Sequence, residues 1–213
     1  GGDTLRHRPR PDIPYRVWNI YGPSETTVLV TSHPATPAGP DGEDGPVPIG
    51  TPIDNVELYV LDEQRRPVPT GTTGELYVGG PQVTRGYLNL PGETDRRFIA
   101  HPFGGTGRLY RTGDLVRRRP DGALEFRGRT DDQVKIRGFR VEPGEAQHAL
   151  CTLPQVADAL VLARRDEQGE AHLAGYVVPA DGVPDGPHDP FLRRVESDLS
   201  ARLPHYLVPR RWA

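Results

Sequence analysis

The stretch Gly128 to Glu145, GRTDDQVKIRGFRVEPGE, decides how the rest of the chain is read. It opens on a Gly-Arg turn and carries two adjacent carboxylates, Asp131 and Asp132. Gln133-Val134-Lys135-Ile136-Arg137 then alternates polar and apolar residues, which predicts a short strand with one face on a core. Gly138 punctuates the chain, and Pro143-Gly144-Glu145 reads as a helix start, because proline suits the first helical turn. Before this stretch the sequence is broken throughout by glycine and proline; after it lies what reads as a small α+β unit. A polar, glycine-flanked connector between two such regions is either a surface linker or a pivot, since glycine absorbs backbone rotation at little cost. The residues alone leave both open.

On the C-terminal side, Pro143 to Leu153 places Ala146, Ala149 and Leu150 on one helical face, and Cys151 is expected to pack in that apolar line. Val156 to Leu162 and Leu173 to Val178 read as an antiparallel pair around Asp166-Glu167-Gln168-Gly169. A second helix is expected from Phe191 to Leu203, after a loop of proline, glycine and aspartate.

On the N-terminal side, Leu109 to Leu115 is a strand that delivers Asp114 just past Gly113. Leu115 to Arg119 pairs with Ala123 to Arg127 across Pro120-Asp121-Gly122. An aspartate in such a place either caps a turn or accepts the two hydroxyls of a ribose. Arg16 to Tyr21 reads as a short buried strand that stops at Gly22-Pro23, followed by Ser24-Glu25-Thr26-Thr27. Hydroxyls donate to phosphoryl oxygens and a hard carboxylate suits Mg²⁺, yet serine and threonine beside a turn serve turn geometry equally well. His33 to Pro48, rich in proline, glycine and acids, reads as an exposed loop. Val56 to Val60 and Gly74 to Val78 alternate as a meander, and Arg96-Arg97-Phe98 suggests one helical turn. Gly104-Gly105-Thr106-Gly107 lacks the Gly-Lys-Ser/Thr ending of a phosphate loop and is expected to be a flexible tip.

A net charge of −3 over 213 residues gives no electrostatic case for nucleic acid or an anionic membrane. No apolar run approaches the ~20 residues of a membrane span. Cys151 is the single cysteine, which excludes an internal disulfide framework and fits a reducing, cytoplasmic setting. The 7 histidines are scattered without metal-ligand spacing, so no zinc site is expected. Methionine is absent, which suggests a piece of a longer protein, and of 26 basic residues only Lys135 is lysine.

Five blocks, taken in order, carry a resemblance. They are NIYGPSETT at Asn19 to Thr27, GELYVGGPQVTRGYLN at Gly74 to Asn89, YRTGDL at Tyr110 to Leu115, the opening stretch, and LPHYLVP at Leu203 to Pro209. Together they resemble the adenylation domain of nonribosomal peptide synthetases, in the superfamily of AMP-forming acyl and aminoacyl ligases. The resemblance covers nearly the whole chain. It implies an α/β and α+β architecture. Residues 1–129 would be the end of the large adenylation core with a distorted β-barrel subdomain, and residues 130–213 a small α+β C-terminal lobe. The implied chemistry joins an amino acid to ATP as aminoacyl-AMP, then passes the acyl group to the phosphopantetheine thiol of a peptidyl carrier domain.

By the same resemblance, Glu25 would hold Mg²⁺ and Ser24 would contact phosphate. Tyr21 would stack on adenine, Asn19 would meet its polar edge, Asp114 would bind the ribose hydroxyls, and Arg129 would approach ribose or phosphate. Asp131 matches the family's hinge residue, and Gly138 the glycine that leaves room for the pantetheine arm. Ile20, Val28 and Leu29 match pocket-lining positions and favour an apolar or aromatic amino acid. The family's contact surface for a small MbtH-like partner includes the region around Pro91 to Phe103. Two departures are conservative: Ser24 stands where threonine is usual, and Pro143 where leucine is usual. The phosphate loop, the pocket aspartate and the C-terminal lysine of the family are not among these residues, and Lys135 is not that lysine. This stretch alone is therefore expected to be inactive. An aryl-acid or acyl-CoA ligase of the same superfamily, or a non-catalytic module that docks a carrier protein, is the alternative.

Overall fold

The computed structural model describes residue 5 and residues 8–37, 45–105, 107–167, 169–182 and 189–213. These divide into two units, one ending at Thr130 and the other comprising Asp131–Ala213.

In the first unit, β1 (Val17–Tyr21), β2 (Thr31–Ala35) and β3 (Thr51–Pro52) form an antiparallel sheet, with Asn19 opposite His33 and Tyr21 opposite Thr31. A single 3-10 turn, Ser24–Thr26, fills the connection between β1 and β2. A second sheet contains β4 (Glu57–Leu61), β5 (Thr73–Gly79), β6 (Phe98–Ala100), β7 (Arg108–Arg118) and β8 (Leu124–Arg129). The long β7 is its spine. β5 runs along one edge, so β6 and β8, which pair with opposite ends of β7, must share the other. Val60, Leu76, Val78, Val116 and Leu124 from this sheet pack with Val30 and Ile49 in one core. The two sheets meet where Gly50 bridges Leu124: the Leu124 amide donates to the Gly50 carbonyl at 2.8 Å. The strand pairings of the described residues do not close into a complete barrel.

Two local expectations need correction here. Residues 33–35 of the supposed exposed loop belong to β2, and Val47 and Pro48 are buried. The cause is non-local: the Asn19 side-chain amide donates to the carbonyls of Val47 (3.1 Å) and Pro48 (2.8 Å), drawing that segment against β1. Residues 38–44 of the same loop lie outside the described residues, as do Thr106 of the glycine-rich tip and Gln168 of the later turn. The single helical turn expected from Gly92-Glu93-Thr94 and Arg96-Arg97-Phe98 is a seven-residue helix, α1 (Pro91–Arg97), which starts on proline and is laced by ion pairs from Arg96 and Arg97 to Glu93. Phe98 leaves the helix because its buried ring and its pairing with Tyr110 put it in β6.

The second unit begins with the hairpin of β9 (Val134–Ile136) and β10 (Phe139–Val141). Its two loop residues, Arg137 (φ 51°) and Gly138 (φ 84°), both sit in the left-handed region, the type I′ turn that matches strand twist. α2 (Pro143–Cys151), β11 (Val156–Arg165), β12 (Ala171–Pro179), α3 (Asp189–Ser200) and β13 (Arg211–Trp212) follow. β12 is central, antiparallel to β11 and parallel to β13. Ala146 and Leu150 of α2 and Val195 and Leu199 of α3 pack with Val161 and Leu173 of the strands. Cys151 is exposed, contrary to expectation, because one residue beyond Leu150 turns it about 100° off the buried stripe. α3 stops before Leu203, since the residue preceding Pro204 is disfavoured in helical backbone.

The junction of the two sheets depends on Gly50. It has φ +98°, and a Cβ there would lie 2.0 Å from the Ser32 carbonyl oxygen. Gly122 has φ +87° but open space around it. Gly122→Ala should therefore cost only the left-handed penalty of about 1–2 kcal/mol. Gly50→Ala should cost roughly 3 kcal/mol or more, because backbone must move. Urea unfolding of the two variants checks the order; equal losses would show that the Gly50–Leu124 junction is not under this constraint.

Candidate functional site

Asp114 owes its position to an irregularity in β7. Glu75 of β5 pairs with Leu115 and Tyr77 with Arg111, so Thr112, Gly113 and Asp114 together stand opposite Leu76 alone. Gly113 takes φ 77° to absorb the surplus. Bulges of this kind bend a strand and re-aim a side chain, and here the result is a buried aspartate, its side chain only 9% exposed. The bulge is locked from within: the Asp114 amide donates to Thr112 Oγ1 at 2.9 Å, and that hydroxyl donates to the Leu76 carbonyl at 2.7 Å.

Two other segments, the ends of β1 and β8, converge on this carboxylate. Tyr21, the last residue of β1, donates its hydroxyl to Asp114 Oδ2. Arg129, opposite Asp114 at the end of β8, donates Nη1–H to Oδ1 and Nη2–H to the Thr112 carbonyl at 3.2 Å. A buried carboxylate is tolerated only when paired and hydrogen-bonded, and these two donors meet that need. Burial, then the charge of Asp114, pushes the Tyr21 phenol well above its ordinary pKa, so it remains an O–H donor. A carboxylate offers about four lone-pair sites, so it can accept several hydrogen bonds at once.

Glu25 is presented differently. The 3-10 turn Ser24–Thr26 is followed by Thr27 (φ 57°) and Val28 (φ 74°), an uncommon pair of β-branched residues in left-handed backbone that turns the chain back toward β2. Gly22 permits the fold-back, since a Cβ there would lie 2.4 Å from the Val28 carbonyl oxygen. The Glu25 carbonyl accepts from the Thr84 amide at 2.9 Å, and Oε1 accepts from the Tyr87 hydroxyl at 2.6 Å. Thr27 Oγ1 adds a bond to the Gln82 carbonyl at 2.8 Å. Burial first, and then the hydrogen bond to Glu25, raises the Tyr87 phenol well above its ordinary pKa, so it too stays protonated.

The structure therefore gathers Tyr21, Asp114 and Arg129 into one hydrogen-bonded group and buries Glu25 against Tyr87. Ser24 is exposed at the start of its turn. Asn19 uses its amide nitrogen on the segment containing Val47 and Pro48. Ile20 and Val28 are exposed and Leu29 is partly buried. Asp131 and Gly138 belong to the second unit. Asp131 lines a cavity there with Asp132, Val134 and residues 161–164, and a Cβ on Gly138 would meet nothing. Sequence reading missed Thr112 and Tyr87 as site residues. Both lie inside blocks that carry the family resemblance, but Thr112 donates to Leu76 and Tyr87 to Glu25, each far away in sequence. Among the described residues no group of three or more His, Cys, Asp or Glu could hold a metal ion by itself.

A family model described as AMP-binding enzyme matches residues 3–88. One chain of the linear gramicidin synthase of Brevibacillus parabrevis is 48% identical over 211 residues, which is 98% of this chain and 4% of that synthase chain. NpsA-ThdA, an artificially fused adenylation-PCP di-domain from Klebsiella oxytoca, is similar with a TM-score of 0.79 and 28% identity, over 100% of this chain and 39% of that one. The Vibrio cholerae adenylation domain AlmE, solved with glycyl-adenosine-5'-phosphate, is similar with a TM-score of 0.73 and 31% identity, over 92% of this chain and 36% of that one. The chain thus spans a small fraction of the curated relative and well under half of each solved chain.

The raised Tyr21 phenol has a consequence for stability. Unfolding returns it to an ordinary pKa of about 10. Its contribution is therefore complete below pH ~10 and is lost as pH rises from there toward the folded value. Urea midpoints measured between pH 8 and 11 should fall with pH in the wild type and fall less in Tyr21→Phe. At neutral pH the same variant should lose about 1–3 kcal/mol, because Asp114 is left with one donor fewer. Parallel pH profiles for the two proteins would refute the burial of this phenol.

Proposed function

The chain belongs to the AMP-binding enzyme family, as part of an adenylation domain of the nonribosomal peptide synthetase type, and on that premise we propose that it serves to activate an amino acid as its aminoacyl adenylate. An oxygen of the substrate carboxylate attacks the α-phosphorus of ATP, the bond to the β-phosphate oxygen breaks, and pyrophosphate leaves. The acyl carbon is then attacked by the thiol of a carrier domain's phosphopantetheine, and AMP leaves. In-line displacement of this kind asks for positioning and charge neutralisation, not a covalent nucleophile. The observation that carries the reading is the convergence of Tyr21, Asp114 and Arg129. An aspartate buried and held by two donors is a fixed acceptor, as a ribose diol requires. Arg129, beside it, supplies positive charge toward ribose or phosphate.

Tyr21 would offer its ring to adenine while its hydroxyl stays on Asp114, and Asn19 would offer its side-chain oxygen to the polar edge of the base. Ser24 would donate to phosphate. Mg²⁺ bound with ATP would neutralise phosphate charge. Glu25 fits it as a single carboxylate, because Mg²⁺ is commonly held by one or two carboxylates together with the substrate's own phosphate oxygens. Ile20, Val28 and Leu29 would line the side-chain pocket and favour an apolar or aromatic amino acid. The similarity to an adenylation-PCP di-domain supports a peptidyl carrier domain as partner, with Gly138 giving passage to its pantetheine arm. Exposed Leu88, Leu90 and Phe103, around α1, fit contact with a small MbtH-like protein.

In the full-length protein, Asp114→Ala should raise the ATP concentration needed for half-maximal amino-acid-dependent pyrophosphate exchange about tenfold or more, because a charge-assisted bond worth roughly 1.5–3 kcal/mol is lost. Unchanged ATP dependence would remove Asp114 from the site. Asp131→Pro, which fixes φ near about −65° at the proposed hinge, should leave pyrophosphate exchange largely intact while acyl transfer to the carrier falls by orders of magnitude. Equal damage to both half-reactions in a protein of normal melting temperature would count against the hinge.

A further inference from the structure

Tyr87 is held more firmly than a surface tyrosine needs to be. Its backbone amide donates to Thr94 Oγ1 at 2.9 Å, which ties it to α1. Gly86 lets that contact form, since a Cβ there would lie 2.4 Å from Thr94 Cγ2. Its ring packs edge-on against Phe98, with centroids 5.6 Å apart, and Phe98 is itself buried. The hydroxyl then reaches Glu25 Oε1 at 2.6 Å, across 62 residues of sequence. Backbone and ring are thus both anchored before the hydroxyl meets the carboxylate. Residues 82–87 and 25–27 are also joined by the bonds from Thr84 and Thr27, so donor and acceptor share one rigid frame.

We propose that Tyr87 is a positioning residue, which fixes the Glu25 carboxylate so that it meets the cation of a bound nucleotide in one orientation. This rests on the reading of Glu25 given above. A glutamate side chain has several rotamers, and ordering it on each binding event costs conformational entropy. A donor on one oxygen removes that freedom and leaves the orientation set. Partners behind a ligating group act in the same way at metal sites generally, and their removal commonly costs 10–100-fold in metal affinity.

The test uses the full-length protein and calorimetric binding of α,β-methylene-ATP, which cannot be cleaved at the reacting bond, across a range of Mg²⁺ concentrations. Tyr87→Phe should raise the Mg²⁺ concentration for half-maximal binding about tenfold. Its affinity for AMP should stay within about twofold of wild type, because AMP would be held through the Asp114 group and does not need the cation. Glu25→Gln is measured alongside. A shifted Mg²⁺ requirement in Glu25→Gln with none in Tyr87→Phe overturns the positioning role and leaves the role of Glu25 standing. No shift in either overturns both. Parallel loss of AMP and Mg²⁺-nucleotide binding in Tyr87→Phe, with a lowered melting temperature, would show a merely structural tyrosine and also overturns the proposal.

Discussion

A carboxylate removed from water must find donors, and in the first unit that requirement falls on Asp114. Its solution links elements that local sequence would not bring together. β7 bulges to aim the side chain inward, β1 ends on the tyrosine that donates to it, and β8 ends on the arginine that neutralises it. Two sheets are therefore joined through polar contacts as well as through the apolar core around Leu76, Val116 and Leu124. Removing one donor leaves a buried charge less well satisfied, which usually costs more than the pair itself contributes. That asymmetry explains why a group proposed to bind ligand can double as a structural one.

The two carboxylates singled out in this unit are supported by different means. Asp114 has an arginine and a phenol, and so retains a fixed, charge-compensated geometry. Glu25 has a phenol on one oxygen and sits on a one-turn helix whose exit is two residues of left-handed backbone. The first arrangement suits a neutral ligand with hydroxyls to donate. The second suits a cation that brings its own counter-ligands. Their environments match the division of labour between sugar and metal in the proposed chemistry.

Much of this was legible in the residues. Apolar-rich runs bounded by turn residues marked β4 and β5, the Pro-Asp-Gly turn marked the β7–β8 hairpin, and proline at the first turn marked α2. Asp114 could be picked out because it follows Gly113 at a strand end, and Arg129 through the family resemblance. What sequence could not supply was anything held by distant partners. The burial of Val47 and Pro48 depends on an amide from Asn19, and the placement of the Tyr87 hydroxyl depends on a glutamate far upstream. Cys151 was misplaced for a simpler reason: near a helix end, one residue of phase separates a core position from an exposed one.

The bridge between Gly50 and Leu124 also bears on the order in which the first unit assembles. The β7–β8 hairpin and the β1–β2 pair can each form from neighbouring residues, quickly and with little loop entropy to overcome. Joining them requires the whole intervening chain, including β4 to β6, to be gathered first. Contacts of such long sequence separation are slow to form. The second unit, dominated by the adjacent β11–β12 pair and the helices beside it, carries no comparable delay. On a ribosome the first unit would therefore emerge first yet still be completing its long-range pairing while the second folds, and its open strand edges would be the part of the chain most exposed to mispairing during synthesis.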